Sequence, residues 1–434
     1  MKVELERIHK GLCPDAIPHG WRIVTLKELS LLKISNGAFN DPKLVGLGYK
    51  LINIVDLYRG PQIRTKDLGR LSLSESEYKT FKVLRGDLFF TRSSLKKEGI
   101  AHCNIFLSEE EDVVYECHMM RVRPNPELVD SKYLQEFCLA GPAREYFISH
   151  GKTTTMTTID QGSIGGLPIL LPPLPEQEKI AAILTAVDDK LDVISRQIQA
   201  TQTLKQGLMQ TLFSRGVGCQ DANDWPVLSL QELAEVRTGV AKGKKGLKAP
   251  VELPYLRVAN VQAGHIDLTE VKTIEVEATQ VQRYALQPGD VLMTEGGDFD
   301  KLGRGDVWEG QISPCLHQNH VFSVRPAPDK LNSYYLAALA ASDYGRRYFL
   351  SCAKRTTNLA SINSSQLKAF PVLLPSLKVQ EEIAKIVDAV NTKITVLEEK
   401  RTAHQTLKRG LMQKLLTGEW RVSLDAHQDT AIAA

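Results

Sequence analysis

The feature that most constrains this chain is a stretch that it writes twice. LPPLPEQEKIAAILTAVDDKLDVISRQIQATQTLKQGLMQTL begins at Leu171, and its second copy begins at Leu374, 203 positions on. Aligned without a gap, the copies agree at 22 of 42 positions, where unrelated chains would agree at roughly 6%. A repeat of that strength marks a duplicated structural unit. Each copy opens on prolines, Pro172, Pro173 and Pro175 in the first and Pro375 in the second. Proline is tolerated in a helix's first turn, where the amide is unpaired anyway, and Glu176 and Glu178 suit the positive end of the dipole.

Apolar residues then alternate at spacings of four and three: Ile180, Leu184, Val187, Leu191, Ile194 and Ile198, and again Ile383, Val387, Val390, Ile394 and Leu397. A period of about 3.5 is that of a coiled-coil seam. Further on the seam falls on Thr201 and Lys205, or His404 and Lys408, with Leu204 and Leu407 one residue off it, before both copies recover at GLMQ. The stripe is therefore expected to drift there. About forty residues make a rod roughly 60 Å long, which alone would expose its stripe. The other copy is the nearest partner, and a chain that crosses one rod, builds a domain and returns makes the pair antiparallel. The competing expectation is two separate core helices, although an ordinary globular helix is about a third of this length.

The segments between the rods repeat as well. WRIVTLKEL at Trp21 answers WPVLSLQEL at Trp225, YKLINI at Tyr49 answers YLRVANV at Tyr255, and LRGDLFFTRSS at Leu84 answers LQPGDVLMTEGG at Leu286. These predict strands, the last fed by a Gly-Asp turn. HMMRVRPNPELVDSKYL at His118 answers HVFSVRPAPDKLNSYYL at His320, a strand, a Pro-rich turn and an amphipathic helix, and TTTMTTID at Thr153 answers TTNLASIN at Thr356. Between these landmarks the copies diverge: NGAFNDPKLVGLG at Asn36 faces TGVAKGKKGLKAPVELP at Thr238, and TRSSLKKEGIAHCN faces TEGGDFDKLGRGDVWEG. One framework with unlike loops is how two modules keep a fold while recognising different things, though drift in loops leaves the same trace. The expected order is a domain over 1–170, a rod over 171–216, a second domain over 217–373, a second rod over 374–420 and a flexible tail over 421–434. The fold class is α+β, two similar domains with mixed or antiparallel sheet plus helices, related by a pseudo-twofold and separated by two antiparallel coiled-coil helices.

Composition narrows function mainly by exclusion. A chain of 434 residues is long enough for two to four domains with real cores. The net charge of +3 does not announce a nucleic-acid binder in bulk, so such a role must come from local clusters. Seven scattered cysteines without a CxxC pair argue for reduced thiols. With no apolar signal core near the N-terminus and no run of 18 apolar residues, a cytoplasmic protein without a membrane partner is expected.

Chemistry-bearing motifs are missing. GVAKGKKG at Gly239 lacks the spacing and hydroxyl of a phosphate loop, no [ND]PP[FY] tetrapeptide occurs, and Glu398-Glu399-Lys400 falls on a rod. Cys117-His118 and Cys315-Leu316-His317 are too sparse for zinc, so neither catalytic nor metal residues are assigned.

The proline-rich openings LPPLPEQEKIAAIL and LPSLKVQEEIAKIV, the GLMQ closings and the twin Gly-Asp strand domains resemble the specificity (HsdS) subunit of type I restriction-modification systems, over nearly the whole chain. The second copy departs from the pattern by carrying Lys378-Val379 where the first has Pro175-Glu176, which bears on how that helix begins. The resemblance implies two target-recognition domains, each reading half of a bipartite asymmetric DNA sequence, and helices that act as spacer and dock. It implies double-stranded DNA and two methyltransferase subunits as partners, with restriction subunits reached through them. S-adenosylmethionine, ATP and magnesium are then expected on those partners and no cofactor on this chain, which would not be an enzyme alone.

Phosphate contacts call for cations and hydroxyls on loops, and base contacts for forked or amide side chains. The candidates in the first domain are Arg92, Ser93, Ser94, Lys96 and Lys97, then Lys152, Thr153 and Thr154. In the second they are Lys301 and Arg304, then Lys354, Arg355 and Thr356, with Lys242, Lys244 and Lys245 in a basic loop that the first domain lacks. Two other readings stay open. A self-contained tandem nuclease or hydrolase would use Asp298, Asp300 and Asp306, which have no carboxylate counterparts in the first domain's matching loop. A coiled-coil adaptor for protein partners would leave DNA unprotected in a footprint.

Overall fold

A computed structural model of the protein describes residues 17–216, 224–243, 246–297, 302–355 and 360–424. The chain divides into two compact units. One runs to Ser195 and resumes at Glu399; the other spans Arg196–Glu398. Each unit therefore owns half of each rod.

The rods are continuous helices, Leu174–Arg215 and Leu377–Leu415. They begin at equivalent leucines although the second has Lys378-Val379 in place of Pro175-Glu176. What the copies share in the first turn is a glutamine. The Gln177 carboxamide accepts from the Asp130 amide at 2.9 Å and donates to the Leu128 and Pro172 carbonyls at 3.2 and 2.8 Å. Gln380 repeats this with Asn332, Lys330 and Pro375 at 2.8, 3.0 and 2.9 Å. Both are buried, so each satisfies backbone groups that would otherwise be orphaned at a covered helix start. An amide latch that closes on a shared proline, Pro172 or Pro375, is what the two helix starts have in common; the first-turn acid Glu176 is not repeated in the second rod.

Within the first unit, Ile180 and Leu184 near the start of the first rod share a core with Leu415 and Leu416 at the end of the second, while Asp188 meets Lys408 one turn further in. Positions rise along one helix as they fall along the other, so the two run antiparallel there. In the second unit, Met209, Leu212 and Phe213 share a core with Val379, Ile383 and Val387. The seam residues Ile194, Ile198 and Leu397 are buried, and Val187, Leu191, Val390 and Ile394 are half-buried. Leu204 and Leu407, one step off the stripe, are more than half exposed. Where the stripe turns polar, charged and hydroxyl groups take over: Thr201 is buried with its hydroxyl returned to the Gln197 carbonyl at 2.7 Å.

The two domains have one topology. Each holds a four-stranded antiparallel sheet, in the order Ser35–Asn36, Met119–Val122, Leu88–Thr91, Cys103–Ile105 and, in the second, Ala234–Thr238, Val321–Pro326, Val291–Thr294, Gly305–Val307. Each adds a three-stranded mixed sheet centred on Val45–Ile52 or Pro250–Leu256. The strands led by Trp21 and Trp225 pair antiparallel with those that run into the rods, Arg22 opposite Leu171 and Val227 opposite Leu373.

The Gly-Asp turns are structural. In both, the Asp amide closes a turn onto the carbonyl three residues back, Leu84 or Gln287, with Gly86 and Gly289 at φ +90° and +93°. Positive φ at the third position is what a type II turn requires, and Pro288 fits the second. The Asp87 side chain, fully buried, caps the Leu84 amide at 2.8 Å and takes a bidentate Arg123 at 2.7 Å on both oxygens. Asp290 does the same with Gln287 and Arg325.

The segment expected as a flexible tail is corrected at its start. The Arg421 guanidinium grips Glu176 at 2.7 and 2.9 Å and reaches the His19 carbonyl at 3.1 Å. Residues 425–434 lie outside the described residues. The signal was long-range, an arginine 245 residues from its acid, so no local pattern could disclose it.

Candidate nucleic-acid interface

Two of the candidate clusters, about sixty residues apart in the first domain, meet on one small sheet. Its strands are Lys152–Thr153, Thr157–Thr158 and Ser93–Ser94, antiparallel in that order. Thr157 faces Ser94 and Thr153, and the Thr153 and Thr157 hydroxyls lie 2.9 Å apart. Arg92, Lys96, Lys97, Lys152, Thr153 and Thr154 are all exposed, while Ser93 and Ser94 are half-buried. Between the cations stands Leu95, 86% exposed. Such a surface offers exposed positive charges and hydroxyls on paired strands, which suits phosphate contacts.

The second domain repeats the sheet with Lys354–Arg355, Ala360–Ser361 and Gly296–Gly297. Lys354 is exposed, and Arg355 is in the same strand. Arg304 is not on this sheet: it is half-buried, its Nε has no hydrogen-bond partner among the described residues, and its carbonyl serves the Thr294 amide at 3.0 Å. Lys242 is exposed with its ammonium 5.7 Å from the Tyr255 ring, on the mixed sheet rather than the small one. Lys244, Lys245, Lys301 and Thr356 lie outside the described residues, as do Asp298 and Asp300.

The frameworks superpose residue by residue through their hydrogen bonds, which exposes how their chemistry differs. The Arg92 amide donates to His118 and its carbonyl accepts from Ile159; the Glu295 amide donates to His320 and its carbonyl accepts from Ile362. A cation in one domain thus stands where the other has an acid, and Glu295 is paired with His320. Beside Arg92 lies a cleft of about 610 Å³ walled in part by Asn36, Lys152, Thr158 and Gln161. Asn36 and Gln161 were not among the residues singled out from sequence, because 125 positions separate them and neither stands in a charged run. Only register between the two copies singles them out, with Thr238 and Ser364 at the matching places.

Other groups settle into structural roles. Cys315 and His317 are buried, the His317 Nδ1 lies 2.7 Å from the Val321 carbonyl, and burial drives its pKa down to about 4. His118 pairs with Glu116 at 3.2 Å. Asp306 is half-buried near Lys205; burial raises the carboxyl's pKa and lowers that of the lysine. Among the described residues no group of three or more His, Cys, Asp or Glu could hold a metal ion, and no helix is long and apolar enough to cross a membrane.

Comparison with known proteins agrees with this two-copy architecture. The family model for the type I restriction modification DNA specificity domain matches residues 18–202 and again 222–404. The EcoKI specificity subunit of Escherichia coli K12 is 22% identical over 439 residues, covering 94% of this chain and 90% of its own. A putative MjaX specificity subunit of Methanocaldococcus jannaschii is 30% identical over 196 residues, 45% of this chain and 46% of that one. Among solved structures, a type I restriction-modification S subunit from M. genitalium has the same fold, with a TM-score of 0.56 at 14% identity over 91% of this chain and 96% of that chain. With both halves matched, the chain belongs to the type I restriction-modification DNA specificity family.

Proposed function

We propose that this chain supplies sequence recognition to a type I restriction-modification complex, each domain reading one half of a split, asymmetric DNA target. The observation that carries this is one framework written twice with unlike chemistry at matching positions, Arg92 against Glu295 above all. Two identical heads would read a palindrome; two unlike heads read two different half-sequences. The exposed cations around the first small sheet, and Lys354 on the second, contact phosphates and set register.

The rods fix the interval between the half-sequences and offer their exposed faces to two methyltransferase subunits, through which restriction subunits are recruited. S-adenosylmethionine, ATP and magnesium belong to those partners. The family membership and the long rods support this reading. Its test is to assemble the chain with its methyltransferase subunits and sequence the methylated DNA. Adenine methylation at a split motif is expected, with none from the chain alone. Methylation by the isolated chain, or a complex that leaves DNA unprotected in a footprint, would refute it.

A further inference from the structure

At the cleft beside Arg92 the first domain carries two amide side chains that are already wired together. Asn36 ends the edge strand Ser35–Asn36, and Gln161 opens the short helix Gln161–Gly165. The Gln161 Nε2 donates to the Asn36 Oδ1 at 2.9 Å. Asn36 is itself held: its Nδ2 donates to the Cys117 carbonyl at 3.1 Å, and its carbonyl accepts from the Tyr115 hydroxyl at 3.3 Å. One amide hydrogen of Gln161 is therefore committed to a fixed acceptor. Gln161 lines the cleft, where Arg92, Lys152 and Thr158 also stand, and among the described residues its carboxamide makes no other hydrogen bond. The one acid there, Asp160, is engaged with the Ser163 amide at 2.8 Å and the Lys152 ammonium at 3.6 Å.

The donor and acceptor of a carboxamide match one base edge in the major groove, the adenine N6–H donor and N7 acceptor. Bracing by a second amide removes the rotamer freedom that a lone glutamine would lose on binding. The second domain lacks the pair. Gly37 and Gly239 occupy the same tight approach, where an added Cβ would meet the Tyr115 or His317 carbonyl oxygen at 2.1 or 2.0 Å, so Asn36 corresponds to Thr238. Asp160 and Asn363 cap matching short helices, so Gln161 corresponds to Ser364.

We infer that Gln161, positioned by Asn36, reads an adenine edge in the half-target of the first domain, with Arg92 and Lys152 on the adjacent phosphates. This rests on the reading under Proposed function, and the test separates the two. The full chain, assembled with its methyltransferase subunits, is used to select duplexes from a randomised library, and affinities for the selected and a scrambled duplex are measured at fixed salt. If the wild-type complex enriches no split sequence, the proposed function fails.

Given enrichment, Gln161→Ala is expected to weaken the selected duplex roughly 10- to 100-fold, the range of one bidentate base contact. It should leave the scrambled duplex unchanged and erase one adenine preference in one half. The other half-motif, still selected, reports an intact fold. Asn36→Ala should relax the same adenine preference by a smaller factor, as a positioning residue would, and Arg92→Ala should weaken all duplexes alike and reduce the salt slope by about 1. Unchanged selection by Gln161→Ala, or a lost preference at any base other than adenine, overturns the inference.

Discussion

Replacing Lys408 with methionine is the sharpest test of how the rods are held to the first domain. Lys408, on the second rod, sends its ammonium to Glu136 at 2.9 Å and to Asp188 of the first rod at 2.7 Å. Lys132 approaches the same two acids at 3.0 and 3.3 Å. The Glu136 carboxylate is fully buried, and its oxygens, although at ion-pair distance of both lysines, accept no well-aligned hydrogen bond among the described residues. What stabilises them is charge, not hydrogen-bond geometry. Burial works against the Lys408 ammonium, yet Glu136 and Asp188 outweigh it and hold its pKa above the ordinary lysine value.

Without Lys408, two buried carboxylates would share one lysine, and breaking a buried pair from one side costs about 3–5 kcal/mol. The second domain suggests the rescue. The repeat register puts Tyr334, Ala338 and Asn391 at the positions of Lys132, Glu136 and Asp188, so the quadruple variant Lys408→Met, Lys132→Tyr, Glu136→Ala, Asp188→Asn, which leaves no charge stranded in the cluster, should recover most of the loss. Urea unfolding of the full chain, followed by circular dichroism and tryptophan fluorescence, reads both, with each unit's transition fitted separately. A Lys408→Met variant within about 1 kcal/mol of wild type, or a quadruple variant no more stable than the single, would refute the charge-lock argument.

Other expectations follow from the same contacts. Because Lys408 titrates higher in the folded state, its contribution is complete below the ordinary lysine pKa of 10.5 and is lost as pH rises through the raised value; urea midpoints of the wild type should fall in that alkaline window more steeply than those of the quadruple variant. Glu176 accepts the Trp21 indole N–H at 3.0 Å, whereas the matching Trp225 N–H, in the copy that carries Val379 at the place of Glu176, has no partner among the described residues. Glu176→Val should cost about 1–3 kcal/mol for the orphaned indole, with little more from Arg421, whose half-exposed guanidinium rehydrates. Trp21→Phe in that background should add less loss than in wild type, as a double-mutant cycle would show. Deleting one heptad from each rod should shorten the interval between half-targets by roughly three base pairs, since seven residues span about 10.5 Å. Removing 193–199 and 396–402 keeps Asp188, Lys205 and Lys408, whereas a cut through 186–192 would take out Asp188; altered half-sequences in the methylated motif would contradict the spacer role.

Much of the architecture could be read from the sequence because it depends on local periodicity and on repetition. The 3.5 period of the rods, the Gly-Asp turns and the strand landmarks recur at a fixed offset, and a duplicated pattern reports its own alignment. Even Lys205 and Lys408 could be placed on the seam from spacing alone. What the lysines do there was not legible, since their partners Asp306, Glu136 and Asp188 stand on other elements, and spacing says nothing about who faces a residue across a fold.

The candidate surface divides in the same way. Runs of cations and hydroxyls at Arg92–Lys97 and Lys152–Thr154 stand out in sequence because charge composition is a local property, and folding adds only that one small sheet unites them. Asn36 and Gln161 carry no such mark. The antiparallel return of the chain brings them within hydrogen-bond reach, and it is this long-range pairing that decides which side chains a base edge would meet. Sequence periodicity thus determined the rods, the two copies and the family. Tertiary structure alone decided the latches, the buried charges and the amide pair, because each joins atoms that chain proximity never relates.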